Sequence, residues 1–222
     1  MRQPTPDRYG RSIVIIGDFN PKIFQPAWFA AEGLIGKQEA EGAKIDVIHH
    51  DASLFSTDWA RIEVLRERFM IETTQQLIDK PLRDLVLGTF KILHHTPLRV
   101  MGINTWMHFR IESKEKWNNA GHSLTPKDLW SEVLDKPGMM AIAMRESPRR
   151  DGIKGYLDVR IEPSGAIEPG LFLAVNVHSE CDHPDEVMGS NDVLSILEET
   201  WDDSTKRSEE IIYTMLERIT AV

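Results

Sequence analysis

The densest run of metal-capable and nucleophilic side chains in the chain is His178-Ser179-Glu180-Cys181-Asp182-His183. Zinc favours tetrahedral ligation by imidazole and thiolate, and catalytic zinc keeps three protein ligands plus an open position for water. His178, Cys181 and His183 could therefore form a partial ligand set for a metal-dependent hydrolase or nuclease. The run lacks the paired spacings that mark zinc sites, and its plainer reading is a polar loop after a strand with one half-buried thiol. His49-His50-Asp51, at a strand end, is a second metal-capable group. His94-His95 is a third, at a helix C-terminus, where imidazoles complement the helix dipole. Neighbouring residues of an extended chain point to opposite faces, so neither pair is automatically a two-nitrogen ligand set.

A second kind of chemistry is offered by one strand face. Asn104, His108 and Arg110 alternate along residues 98–111, and Asn176 and His178 would join them if residues 171–178 form the neighbouring strand. Such side chains can hydrogen-bond a small ligand; an outer sheet face wetted by solvent explains them equally simply. The chain contains no Gly-x-Ser-x-Gly elbow, Walker loop, Gly-x-Gly-x-x-Gly, His-Glu-x-x-His or zinc-deaminase pattern. The leading expectation is a non-enzymatic protein-interaction or adaptor subunit that needs no cofactor. The alternatives are a metal-dependent hydrolase or nuclease and a small-ligand sensor.

The elements that must position these residues follow from periodicity. Leu82, Leu85, Val86, Thr89, Phe90 and Leu93 share one stripe of a helix over residues 81–95. After Thr96-Pro97 the period becomes two, with Met101, Ile103, Thr105, Met107, Phe109 and Ile111 on the face opposite Asn104 and His108. Residues 1–11 read as a loose arm, 12–16 as a buried strand, 36–43 as a loop, and 44–49, 59–65 and 69–73 as strands. Ser113 caps a short helical turn. Thr125-Pro126-Lys127-Asp128 resembles a capping box before Leu129, Trp130, Val133 and Leu134, which predicts a helix ended by Pro137-Gly138. Strands follow at 139–144, 156–161 and 171–178.

Ser190 or Asn191 then caps a helix over residues 192–219, about 42 Å long at 1.5 Å per residue. Ser204 and Ser208 in its apolar seam allow close approach by a neighbour, either the 81–95 helix of the same chain, which is the favoured reading, or the same helix of a second subunit. The acidic first half of this helix offers Glu198, Trp201 and Asp202 to a partner. The predicted fold is α+β, with antiparallel sheet built from two β-rich-then-helix halves and the long C-terminal helix on one face. It is one domain over residues 12–222 in two pseudo-lobes, 12–112 and 139–222, joined by a helical connection at 113–138.

The chain has 222 residues, 41% hydrophobic and 27% charged, which is the composition of an ordinary globular protein. Its longest apolar run, Ile13-Val14-Ile15-Ile16, is far too short to cross a membrane. The first residues carry no signal-peptide h-region, and Cys181 is the only cysteine. A cytoplasmic location without membrane association is expected. Residues 1–111 carry 14 basic and 13 acidic side chains and residues 112–222 carry 12 and 22. From Glu180 to Asp203 there is no Lys or Arg, so general nucleic-acid binding is not expected.

In organisation the chain resembles a sporadically distributed family of uncharacterised bacterial α+β proteins. The resemblance rests on the helix, Pro-containing turn and strand in KILHHTPLRVMGINTWMHFRIE. It rests also on the ending LAVNVHSECD…VLSILEETWDDSTKRSEEIIYTMLERIT, a strand, polar loop and long helix. The opening GDFNPKIFQPAWF departs from the family pattern. The resemblance implies a soluble bacterial protein encoded near mobile-element or phage-defence genes; action through protein partners or as a homodimer is expected instead from the long acidic helix and the absence of catalytic motifs. It names no reaction and carries over no catalytic residue.

Overall fold

A computed structural model describes residues 4–181 and 189–221. In chain order the elements are β1 (Arg8–Gly17), α1 (Pro26–Ala31), α2 (Lys37–Gly42), β2 (Lys44–Ile48), β3 (Ala52–Ser56), β4 (Arg61–Leu65), β5 (Arg68–Thr73), α3 (Asp79–Ile92), β6 (Leu98–Arg110), α4 (Lys114–Leu124), β7 (Ile142–Glu146), β8 (Gly155–Pro163), β9 (Gly170–Glu180) and α5 (Gly189–Thr220). The strands form one nine-stranded sheet in the order β2-β3-β4-β5-β1-β6-β9-β8-β7. Every pairing is antiparallel.

The order carries an internal duplication. β1 and β6 pair at the centre, from Arg8↔His108 to Ile16↔Val100. Each is flanked by its own meander, β5-β4-β3-β2 on one side and β9-β8-β7 on the other. Each half thus runs strand, helical segment, meander, closing helix, and hairpin-length connections give the antiparallel order. β1 begins at Arg8, so residues 8–11 belong to the central strand and not to a loose arm. Residues 37–42, expected as loop, form α2.

Alternation in the central strands sends Ile13, Ile15, Met101, Ile103, Met107, Leu173, Val175 and Val177 to one face, where all are buried. α3 packs on β1 and β5 through its buried Leu82, Val86 and Phe90, and α5 lies along β6 and β9. The first half is closed by aromatic rings. Phe69 and Phe90 meet edge to face at 5.1 Å, Phe24 sits 5.7 Å from Phe69, and Phe29 of α1 sits 5.7 Å from Phe55. Each fully buried ring contributes about 1.5–3 kcal/mol of transfer free energy, so the segment 19–35 acts as a plug.

α5 is a core element. Val193, Leu194, Leu197, Trp201, Ile212, Leu216 and Ile219 are buried on it, and Ser204 and Ser208 are covered within the chain. It touches α3, and the Ser190 hydroxyl at its start donates to the His94 carbonyl at the end of α3. Trp201 is only 1% exposed, so its expected role in meeting a partner is corrected: it packs inward. Glu198 and Asp202 are exposed.

Candidate functional site

The β6–β9 register sets Asn104 opposite Asn176, Gly102 opposite His178 and His108 opposite Phe172. Asn104, His108, Asn176 and His178 therefore share the sheet face opposite the helices. Asn104 Nδ2 donates to Ser12 Oγ at 3.3 Å, whereas the buried Asn176 Oδ1 has no partner among the described residues. Trp106 lies over Gly10, where any Cβ would overlap the indole, and its Nε1 donates to Glu72 at 3.0 Å. His108 Nδ1 is 2.8 Å from Ser164 Oγ, which already accepts the amides of Ala166 and Ile167. The serine proton is thus free for Nδ1, which fits a neutral ring. Burial pulls the His108 pKa down, helped by Arg8. His178 stacks on Tyr156 at 4.1 Å, Arg145 covers the Tyr156 ring at 3.6 Å, and burial lowers the His178 pKa too.

Arg110 takes another direction. Its amide donates to Asp7 at 2.8 Å and its guanidinium to the Glu168 carbonyl at 3.2 Å, which ties it to the N-terminal residues.

The metal-capable run does not gather. His178 is on the open face, while Cys181, three residues on, falls on the opposite side, buried, with Sγ 3.5 Å from the Leu98 carbonyl. An odd offset along extended chain separates the two side chains, so they do not share a ligand set. His183 lies outside the described residues. Among the described residues, potential ligand atoms converge only at His49, His50 and Asp51, all exposed at the β2–β3 tip. The chain bends there, so the two rings come to 3.9 Å instead of pointing apart. His50 Nε2 is 2.6 Å from Asp51, and a hydrogen bond from Arg66 holds the Asp51 carboxyl below its usual range.

The inward-facing positions of β1 hold a charge that patterning did not reveal. Arg11 is 1% exposed. Its Nε donates to Thr105 Oγ1 at 3.1 Å, Nη1 to Asp79, and Nη2 to Glu209 at 2.7 Å. Tyr9 donates to the other Asp79 oxygen at 3.0 Å, and the Tyr9 and Trp201 rings lie 5.6 and 5.9 Å from the guanidinium carbon. Burial pushes the Asp79 pKa up against the pull of Arg11, and raises that of Tyr9. A buried guanidinium bonded to two acids and a hydroxyl couples β1 to α3 and α5; this is a structural clamp. The alternation Tyr9, Arg11, Ile13, Ile15 was its only trace in the sequence.

The largest departure from expectation lies between α4 and β7. The Thr125 hydroxyl donates to the Gly121 carbonyl at 2.9 Å, finishing α4 instead of capping a new helix. Beyond one turn at Lys127–Leu129, the segment is a chain of turns, with Val133 and Leu134 amides donating to the Trp130 carbonyl at 3.0 and 2.8 Å. Lys127 and Gly138 line one small cavity with Trp117 and Leu171, so the segment leaves and rejoins the body at one place. Between those anchors Leu129 is 80% exposed, Trp130 51%, Val133 73% and Leu134 51%, with Met140 at 88% close behind. This projection gathers four exposed large apolar side chains within six residues, and it leads into β7, the strand at one sheet edge.

The architecture defines an α+β protein built from two strand–helix–meander–helix units. No family model matches the chain, and no curated protein matches it. No helix among the described residues is long and apolar enough to cross a membrane.

Proposed function

We propose that this chain works as an interaction protein, docking another macromolecule through the projection at residues 127–136. The observation that carries the reading is the exposure of Leu129, Trp130, Val133 and Leu134 on one short, doubly anchored segment. Each of these side chains forgoes about 1.5–3 kcal/mol of burial that a partner surface would return. Contiguous exposed apolar surface rimmed by polar residues is characteristic of binding sites, and Asp128, Glu132 and Asp135 supply that rim. The long acidic helix is a weaker candidate because its apolar stripe is spent on the core.

The test is a photo-crosslinking residue placed at Leu129, with a control at the exposed Glu199, in the full chain expressed in cells. Adducts at 129 that disappear when Trp130 and Val133 are changed to Ser are expected. Absence of any adduct at 129 beyond the control would sink the reading.

A small ligand on the open sheet face is the second reading, favoured by the unpartnered Asn176 Oδ1. A ligand that binds the native state raises its melting temperature. A metabolite that does so in the wild type and not in Asn176→Ala supports it; none in a broad screen removes it.

A further inference from the structure

The helix-bearing face of the second half has an unfilled place. α5 lies along β6 and β9, and between it and the outer strands β7 and β8 runs a cleft of about 500 Å³. Met144, Leu157 and Val159 form its floor, and Ile211 and Met215 of α5 its wall. Arg150, Arg207 and Arg218 stand round it, against Glu146 and Glu210, while the Arg145 guanidinium turns to Asp158 on the opposite face. Glu146 is shared by Arg207 at 2.7 Å and Arg150 at 3.2 Å, and the Arg207 hydrogen bond holds its carboxyl below the usual range. Arg218 is exposed and makes no ion pair among the described residues.

The first half shows what belongs in such a place. There the segment between β1 and the meander puts Phe24 on Phe69 and Phe29 on Phe55, covering the strands that correspond to β9 and β7. The segment at the same point of the second half contains the projection, whose apolar residues are in solvent. We infer that the cleft receives the 127–136 projection of a second copy of this chain, in a reciprocal twofold dimer with two such contacts. The inference rests on the reading of the projection as a docking element and names its partner.

Two observations select this occupant. The first is reach: the projection is anchored beside Pro163 and Leu171, whereas the end of the cleft that holds Glu146 with Arg150 and Arg207 lies at Leu157. Six residues of strand, roughly 20 Å, separate the two places, too far for a compact ten-residue loop fixed at both ends. The second is charge. Residues 127–136 carry Asp128, Glu132 and Asp135 against Lys127 and Lys136, net −1, and the cleft's Arg150, Arg207 and Arg218 against Glu146 and Glu210 leave it net +1. The other cleft flanking α5 offers Asp7, Glu112, Glu210 and Glu217 against Arg110 and Lys116, and so repels the same acids. Isologous contacts of this kind close after two copies.

Sedimentation of the full chain from about 1 to 100 µM, a range that covers ordinary dimer affinities, tests the inference. Three proteins are compared: the wild type, a projection variant (D128K/E132K/D135K) and a cleft variant (R150E/R218E). All substituted residues are exposed, so unchanged circular dichroism and melting temperature certify the fold. The wild type is expected to dimerise and each variant to bind itself at least about tenfold more weakly, given the weight of charge complementarity in partner choice. An equimolar mixture of the two variants is expected to dimerise again, because each contact in the mixed dimer pairs opposite charges. A monomeric wild type, a dimer indifferent to both variants, or a mixture that stays monomeric overturns the inference. If the wild type is monomeric while Leu129 still crosslinks to a different protein, the docking reading survives and the self-association does not.

Discussion

Arg11 and Glu209 are 198 residues apart in the chain, yet their side chains meet at 2.7 Å beneath the sheet. With Asp79 on its other nitrogen, Arg11 joins the first strand to both long helices. Removing the guanidinium strands Asp79, whose side chain is 23% exposed, without its cation. Arg11→Met is expected to cost about 3–5 kcal/mol, the range for breaking a buried pair. Glu209→Gln costs less, because that carboxylate is 40% exposed. Urea unfolding of the two variants checks the order, and equal losses would contradict it.

Burial of the two open-face imidazoles predicts a loss of stability on acidification. His108 and His178 both have folded pKa values below their ordinary value, so the unfolded chain binds protons first. Their contribution is complete above about pH 6.5 and is lost as pH falls through the lowered folded values. The melting temperature is expected to drop as pH falls below about 6.5, while still above the ordinary carboxylate range. His108→Gln with His178→Gln should flatten that segment of the profile; an unchanged slope would refute the assignment.

On α5 the partition between core and surface is sharp. Leu197 is fully buried and its neighbour Glu198 is exposed. Leu197→Ala is expected to cost about 2–5 kcal/mol and Glu198→Ala less than about 0.5 kcal/mol. Removing residues 191–220 should leave no cooperative melting transition, since Trp201, Ile212 and Leu216 go with them.

Gly10 exists to let Trp106 lie flat across β1. Gly10→Ala is expected to destabilise by about 1–3 kcal/mol, the cost of overpacking. In a double-mutant cycle, Trp106→Ala should relieve most of that penalty; additive losses would mean that the indole is not what the glycine accommodates.

Much of the frame could be read from periodicity. The alternations 98–111 and 171–178 give β6 and β9, and with them the shared face of Asn104 and Asn176. The stripe from Leu82 to Phe90 gives α3. Other features escaped because the pattern is silent about competition between bonds. Thr125 has the side chain of a helix cap, but its hydroxyl closes the preceding helix, and the apolar residues behind it lose their expected packing. Arg11 was hidden because a charge in an apolar alternation signals surface unless its partners are known, and those come from 68 and 198 residues further along the chain. His178 and Cys181 are close in sequence and separated by a sheet, which spacing in a loop does not disclose.

The central position of β1 also orders events at the ribosome. This strand is made before its neighbours β5 and β6, which begin at Arg68 and Leu98, so both of its edges stay unpaired while more than fifty further residues are added. Exposed edges in nascent chains invite misassociation. Slower translation or scarcer chaperones during that interval should therefore lower the soluble yield of this protein.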